Sequence, residues 1–202
     1  MLIKYLGHAC FKIESGDSSV VFDPYQDGSV RGYGDIREKA VQVLCSHGHH
    51  DHCGAECVEL IPGTEAAVSA VKCFHDDAQG AKRGNNLIHV VEMDGLRVVH
   101  MGDIGHELSQ EQLEETGRPD VLMIPVGGFY TIDAATAAGI AGKLQPRIII
   151  PMHFRLGGTG LSVISELSEF TALYPEVNYA EETMTVTPEM KGVYVMKAAC
   201  AL

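Results

Sequence analysis

The chain has 202 residues, 46% hydrophobic and 21% charged, which is long enough for one well-buried domain and short for two. Its 15 basic and 27 acidic residues leave a formal charge of -12, which repels polyanions and lacks the basic stripe that long nucleic acid requires. No apolar run reaches membrane-spanning length and no basic, apolar leader opens the chain, so the expectation is a cytoplasmic protein with no membrane partner.

Residues 1–6, 9–14 and 18–22 read as short strands broken by Gly7 and Gly16, which suits an antiparallel meander. A glycine-rich loop covers 27–35, and 41–45 resumes as a strand. Residues 53–61 read as a helix closed by Pro62-Gly63, and 87–93 and 96–101 as strands separated by the Asp94-Gly95 turn. Ser109-x-x-Gln112 is a capping box opening a polar helix that stops at Gly117, ahead of a strand over 121–125. Asp133 caps an Ala-rich helix that runs through Leu144 and is ended by Pro146, and 147–151 is a nearly all-apolar strand. A third helix over 162–173 and a strand over 193–197 close the chain. Two halves, each with strands then helices, suggest two sheets packed face to face with helices outside.

Behind the strand at 41–45, Cys45-Ser46-His47-Gly48-His49-His50-Asp51-His52 packs four histidines and a carboxylate into six residues. Neutral imidazoles and carboxylates are the ligands that zinc and its first-row neighbours prefer. A disordered histidine tract or a purification tag would not be launched from a buried strand. Alternate side chains of an extended segment point the same way, so His47 and His49 reach one point across Gly48. A helix beginning near Asp51 would swing Asp51 and His52 toward the same cavity from another direction, where a second cation fits, and would leave His50 over.

His47-x-His49-x-Asp51-His52 resembles the H-x-H-x-D-H motif of the metallo-β-lactamase fold superfamily. Tyr5-Leu6-Gly7-His8-Ala9-Cys10-Phe11 and Val21-Phe22-Asp23-Pro24 look like the opening hairpin of its general metal-dependent hydrolase branch. Further matches are Phe74-His75, Gly102-Asp103-Ile104-Gly105, Met123-Ile124-Pro125-Val126-Gly127-Gly128 and Pro151-Met152-His153-Phe154, in the family's order and over nearly the whole chain. The resemblance implies one domain over 1–202, a four-layer αβ/βα sandwich of two mixed β-sheets flanked by helices, with the site at the edge where the halves meet. It also implies that His47, His49 and His75 hold one metal, that Asp51, His52 and His153 hold a second, and that Asp103 bridges them. Asp51 and Asp103 are then the catalytic carboxylates.

Alternatives stay open at several positions. Only 22 residues separate His52 from His75, and His89, His100 and His106 lie nearby as competitors, the first two within strand patterns that suit structural histidines. Asp103 also reads as a turn or capping aspartate, and Asp23 either orients a ligand histidine through its second nitrogen or forms a turn. His8 has a claim similar to that of Asp23, His106 to the cleft wall, and Tyr130 and Arg155 to substrate contact. The six cysteines show no disulfide framework; Cys53 and Cys57, one helical turn apart, form a conceivable thiolate site, with buried free cysteine as the default.

Two cations sharing a water lower its pKa from about 15.7 to roughly 7, which generates hydroxide at neutral pH for attack on a carbonyl or phosphoryl centre. Zinc is the expected metal, with manganese, iron or nickel fitting the same donors. Flavodiiron relatives of this fold place glutamate where this chain has His49, so the resemblance implies hydrolysis of a small ester, lactone or phosphodiester. The substrate expected is a small molecule, and Lys82-Arg83 and Arg155 beside the motifs suit an anion. The alternatives are a phosphodiesterase or nuclease-like enzyme of the same fold and a non-catalytic metal-binding protein, whose site would be closed to water.

Overall fold

A computed structural model describes residues 1–202. Side-chain alternation builds its first sheet. In β1 (Leu2–Gly7), β2 (Cys10–Ser15) and β3 (Ser18–Phe22), residues Ile3, Tyr5, Phe11, Ile13, Val20 and Phe22 enter the main core, while Cys10 and Val21 join a second apolar cluster. The three strands pair antiparallel in the expected meander. After β4 (Glu38–Ala40), β5 (Gln42–Leu44) adds parallel to β3 and leads into the histidine motif.

Residues 53–61 are not the expected helix. One 3-10 turn at Ala55–Cys57 passes into β6 (Val58–Leu60), which pairs parallel with β4. Gly54 is pressed against the backbone of Tyr25, where an added Cβ would lie 2.7 Å from the Tyr25 carbonyl carbon. Val58 is buried in the second apolar cluster, and the Ile61 amide donates to the Ala40 carbonyl at 2.9 Å. Tertiary pairing with β4 and burial of Val58 override a weak local preference for helix.

The second sheet begins with β7 (Ala67–Phe74), β8 (Asn85–Met93) and β9 (Leu96–His100), an antiparallel run whose last two strands turn at Asp94-Gly95. β7 is an edge strand exposed along its first half, so it lacks the apolar periodicity that would announce it. In α1 (Gln110–Thr116) the capping box forms in full, with the Ser109 hydroxyl accepting from the Gln112 amide at 3.2 Å and the Gln112 side chain accepting from the Ser109 amide at 3.0 Å. β10 (Val121–Pro125) follows, then α2 (Ala134–Leu144), capped by Asp133, and β11 (Ile148–Met152). The third helix is shorter than expected. Only α3 (Leu167–Thr171) is helical, because the backbone just before it is committed elsewhere: the Ser165 amide donates to Gly127 and its carbonyl accepts from Arg155. β12 (Val177–Ala180), β13 (Thr183–Thr185) and β14 (Gly192–Met196) complete the chain, the first two outside the expected elements.

The five-stranded sheet has the order β13-β1-β2-β3-β5 and the seven-stranded sheet the order β12-β14-β11-β10-β9-β8-β7; both mix parallel and antiparallel pairs. A core of 41 buried residues joins the two sheets and the inner faces of α2 and α3, which is the sandwich that the resemblance implies. α1 lies against β7, α2 against β10 and α3 against α2. On the outer side of the five-stranded sheet, Tyr25, Val30, Tyr33, Ile36 and the β4/β6 pair cover Cys10 and Val21 in place of a helix. No helix is long and apolar enough to cross a membrane.

Phe22 is fully buried between the sheets, its ring stacked on His100 at 5.0 Å with an interplanar angle of 2°. Phe22→Ala is expected to cost about 3–5 kcal/mol, measured as a fall in the urea midpoint at an unchanged slope.

Candidate metal centre

The ends of several strands meet at one edge of the sandwich. β1 delivers His8, β3 Asp23, β5 the segment from Ser46 to His52, β7 His75, β9 Asp103 and β11 His153. No helix begins at Asp51. Instead, residues 49–52 form a turn closed by amide donation from His52 and Cys53 to the His49 carbonyl, at 3.0 and 2.9 Å. The turn still separates the motif into two directions: His47 and His49 face His75, whereas Asp51 and His52 face His8 and His153.

Besides a cluster of Asp23, His47 and His52, two candidate ligand groups result. Donor atoms of His47, His49 and His75 lie within 4.8 Å of one another, and so do those of His8, Asp51, His52 and His153. Asp103 stands between them, with Oδ2 at 3.4 Å from His75 Nε2, 3.2 Å from His52 Nε2 and 3.1 Å from His153 Nε2. The donor set suits cations. Buried His47 Nε2, His52 Nε2, His153 Nε2 and Asp103 Oδ1 have no hydrogen-bond partner, and such buried polar atoms are costly unless a ligand satisfies them. His47, His49 and His75 could hold one divalent ion, His8, Asp51, His52 and His153 a second, and Asp103 could reach both.

A surrounding layer fixes these groups. Asp23 Oδ2 lies 2.8 Å from His52 Nδ1, which sets the tautomer that leaves Nε2 free, and Asp23 also accepts from the Ser46 amide and hydroxyl, each at 2.6 Å. Asp23 therefore orients His52, and its φ of 41° lies in the left-handed region at a bend of the chain. His8, at φ 57°, and His153, at φ 53°, share this strained left-handed backbone, and the His153 amide donates to the His8 carbonyl at 2.9 Å. Asn86 accepts from the Asp103 amide at 2.9 Å and donates to the Met101 carbonyl at 2.9 Å. Gly102, at φ 54°, is packed so closely on Asn86 and Ser46 that no side chain fits, which brings Asp103 down onto the histidines.

The electrostatics favour lone pairs over protons on the outer imidazoles. Burial is the leading cause of the downward shifts of His8, to about 4, of His47, to about 3, and of His75. Burial also opposes the ionisation of Asp103, but the attraction of His153 and His52 outweighs it and holds the carboxyl well below its usual range. At His52 the balance is reversed, for Asp103 and Asp23 overcome burial and draw positive charge to that imidazole. The centre attracts cations.

The remaining sequence expectations divide. Of the competing histidines, His75 is the one grouped with His47 and His49; His100 is spent on the Ala9 carbonyl and the Gly102 amide, and His89 lies opposite it in the ladder. His106 does not line the cleft, because its two nitrogens meet the Phe74 amide and the Glu107 carbonyl. Arg155 is also turned away, toward Glu166 at 3.3 Å and the Ile164 carbonyl. His50 is exposed and left over, and Cys53 and Cys57 join no ligand group. Tyr130 does line the cleft, a space of about 300 Å³ that also touches His49, Asp51, His75, Asp103, Leu161 and Arg83. Arg83 was signalled only by the basic pair Lys82-Arg83, and its place beside the site depends on a loop that spacing does not reveal.

Residues 2–153 match the β-lactamase superfamily domain. The chain belongs to that superfamily. It is 30% identical to a UPF0173 metal-dependent hydrolase of Archaeoglobus fulgidus over 194 residues, covering 76% of this chain and 83% of the relative. It is 29% identical to UPF0173 metal-dependent hydrolase Ta0764 of Thermoplasma acidophilum, covering 73% and 80%. A Thermotoga maritima structure described in terms of a Zn-dependent hydrolase of the metallo-β-lactamase superfamily superposes with a TM-score of 0.74 at 29% identity, over 96% of this chain and 97% of that one. This superfamily member is a metal-dependent hydrolase, and the non-catalytic reading falls away.

Asp23→Asn is expected to weaken metal affinity about 10–100-fold, read by calorimetric titration of chelator-treated protein; unchanged affinity would deny Asp23 its orienting role. A second expectation concerns Asp76, which accepts the amides of Ala78, Gly80, Lys82 and Arg83. Burial pushes its carboxyl up, but these donors outweigh it and bring it from 3.8 to about 2. The resulting stabilisation is complete above pH 3.8 and is lost as pH falls through about 2. Hydrogen exchange at those four amides should lose protection over this window, and Asp76→Asn should remove the pH dependence.

Proposed function

We propose that this hydrolase uses two divalent cations, zinc foremost, to cleave a small ester, lactone or phosphodiester. The observation that carries the reading is the convergence of His52, His75 and His153 on one oxygen of Asp103 at the floor of a cleft open to solvent. When bound, two such cations supply an acidified water at neutral pH and stabilise negative charge on the substrate oxygen. The nitrogen-rich donor set suits zinc, and manganese, iron or nickel would fit the same atoms.

The chain's own residues supply the rest of the chemistry. The Asp51 side chain is 22% exposed in the cleft, and its Oδ2 is held 3.3 Å from His8 Nε2. Burial raises its pKa, but the His8 contact and the His52 charge outweigh burial and keep it ionised, so it is available to orient the nucleophilic water by accepting a hydrogen bond. Tyr130 lines the wall above it, where its hydroxyl can donate to the leaving group. The cleft, of about 300 Å³ and lined also by Leu161, suits a small substrate. The six free cysteines support a reducing compartment, the cytoplasm.

Zinc-reconstituted protein is expected to turn over at least one of an aryl ester, a lactone and bis(4-nitrophenyl) phosphate, and chelator should abolish the activity. Asp51→Asn should lower kcat about 100–10,000-fold. Fully loaded protein that hydrolyses none of the three would sink the reading, and activity on the phosphodiester alone would favour a phosphodiesterase.

A further inference from the structure

We infer that Arg83 selects the substrate by binding an anionic group, carboxylate or phosphate, on the molecule cleaved at the metal centre; this rests on the hydrolytic reading above. Arg83 is the one Lys or Arg lining the cleft that contains Asp51, His75, Asp103 and Tyr130. It has no carboxylate within 4.0 Å, whereas Arg37, Arg97, Arg147, Arg155 and Lys82 are each paired with an Asp or Glu. Arg31 and Arg118 also lack a carboxylate partner, but neither lines this cleft.

The guanidinium is held without being neutralised. Its Nη2 donates to the Phe129 carbonyl at 3.0 Å, and its central carbon lies 5.4 Å from the centre of the Tyr130 ring. Both partners are uncharged, so the full positive charge and the remaining N–H donors stay free for a carboxylate or phosphate oxyanion. Phe129 is 64% exposed at φ 58°, a strained setting from which its carbonyl meets Arg83. On the other side, Asp76 binds the amides of residues 78, 80, 82 and 83 at 2.7–2.9 Å, which ties the arginine's loop to the residue directly after ligand His75. Arg83 is thus positioned relative to the metal centre by two anchored loops, which pre-pays the ordering cost of an anion clamp.

The test compares 4-nitrophenyl butyrate with the 4-nitrophenyl half-ester of glutarate, which differ by a terminal carboxylate, on zinc-loaded wild type, Arg83→Ala and Arg83→Lys. Arg83→Ala should raise KM for the half-ester about tenfold or more, leave KM for the butyrate within about twofold, and be partly rescued by Arg83→Lys. Parallel changes for both esters, or none for the half-ester, would overturn the inference in favour of a purely structural staple. Calorimetric titration of the same proteins with glutarate and with methylphosphonate reads binding without turnover, and an Arg83-dependent loss for one anion tells carboxylate from phosphate. If wild type cleaves neither these esters nor the lactone and phosphodiester above, but binds an anion about tenfold more tightly than Arg83→Ala, the hydrolytic reading fails and the clamp stands; anion affinity unchanged by Arg83→Ala overturns the clamp.

Discussion

A carboxylate buried to 2% exposure sits where the two sheets meet, and it requires positive charge around it. Asp103 cannot be solvated at that depth, so its ionised form survives because His153 and His52 crowd one of its oxygens. The fold serves that arrangement. Parallel β9, β10 and β11 end at the same edge, which places Asp103 and His153 on strand ends to either side of β10, and β5 on the facing sheet brings in the histidine motif. The layers beneath, Asp23 under His52 and Asn86 under Asp103, turn a crowd of donors into one with fixed directions.

Much of this was legible because the ligands occupy short contiguous motifs at strand ends, where type and spacing carry the chemistry. Residues 47–52 declare a metal site by themselves, and the capping signals at Ser109 and Asp133 specify their helices because cap and helix are local. The misreadings have a common physical origin. Residues 53–61 look helical until β4 offers a pairing partner, and 162–166 until the backbone of Gly127 and Arg155 claims them. His106 and Arg155 flank ligand motifs in sequence, yet neighbouring backbone and Glu166 absorb their polar atoms. Arg83 is eight residues beyond His75, and only the loop organised by Asp76 returns it to the cleft.

The charge distribution reconciles an acidic chain with an anion-tolerant site. Most surface cations are paired with carboxylates, so the bulk of the molecule remains repulsive to polyanions. Within the cleft the balance changes locally, through an unpaired guanidinium and a donor set built for divalent ions. A small anion can satisfy that local balance without meeting the acidic surface that would oppose a long polymer.

The central claim is that Asp103 joins two cation sites. Elemental analysis of untagged, zinc-reconstituted protein, beside Asp103→Ala and His50→Ala, tests it most directly. The account predicts about two metals per chain in wild type and in the variant of the exposed His50, and a clear fall in Asp103→Ala. Metal content that is unaffected by Asp103→Ala, or absent from wild type after reconstitution, would contradict it.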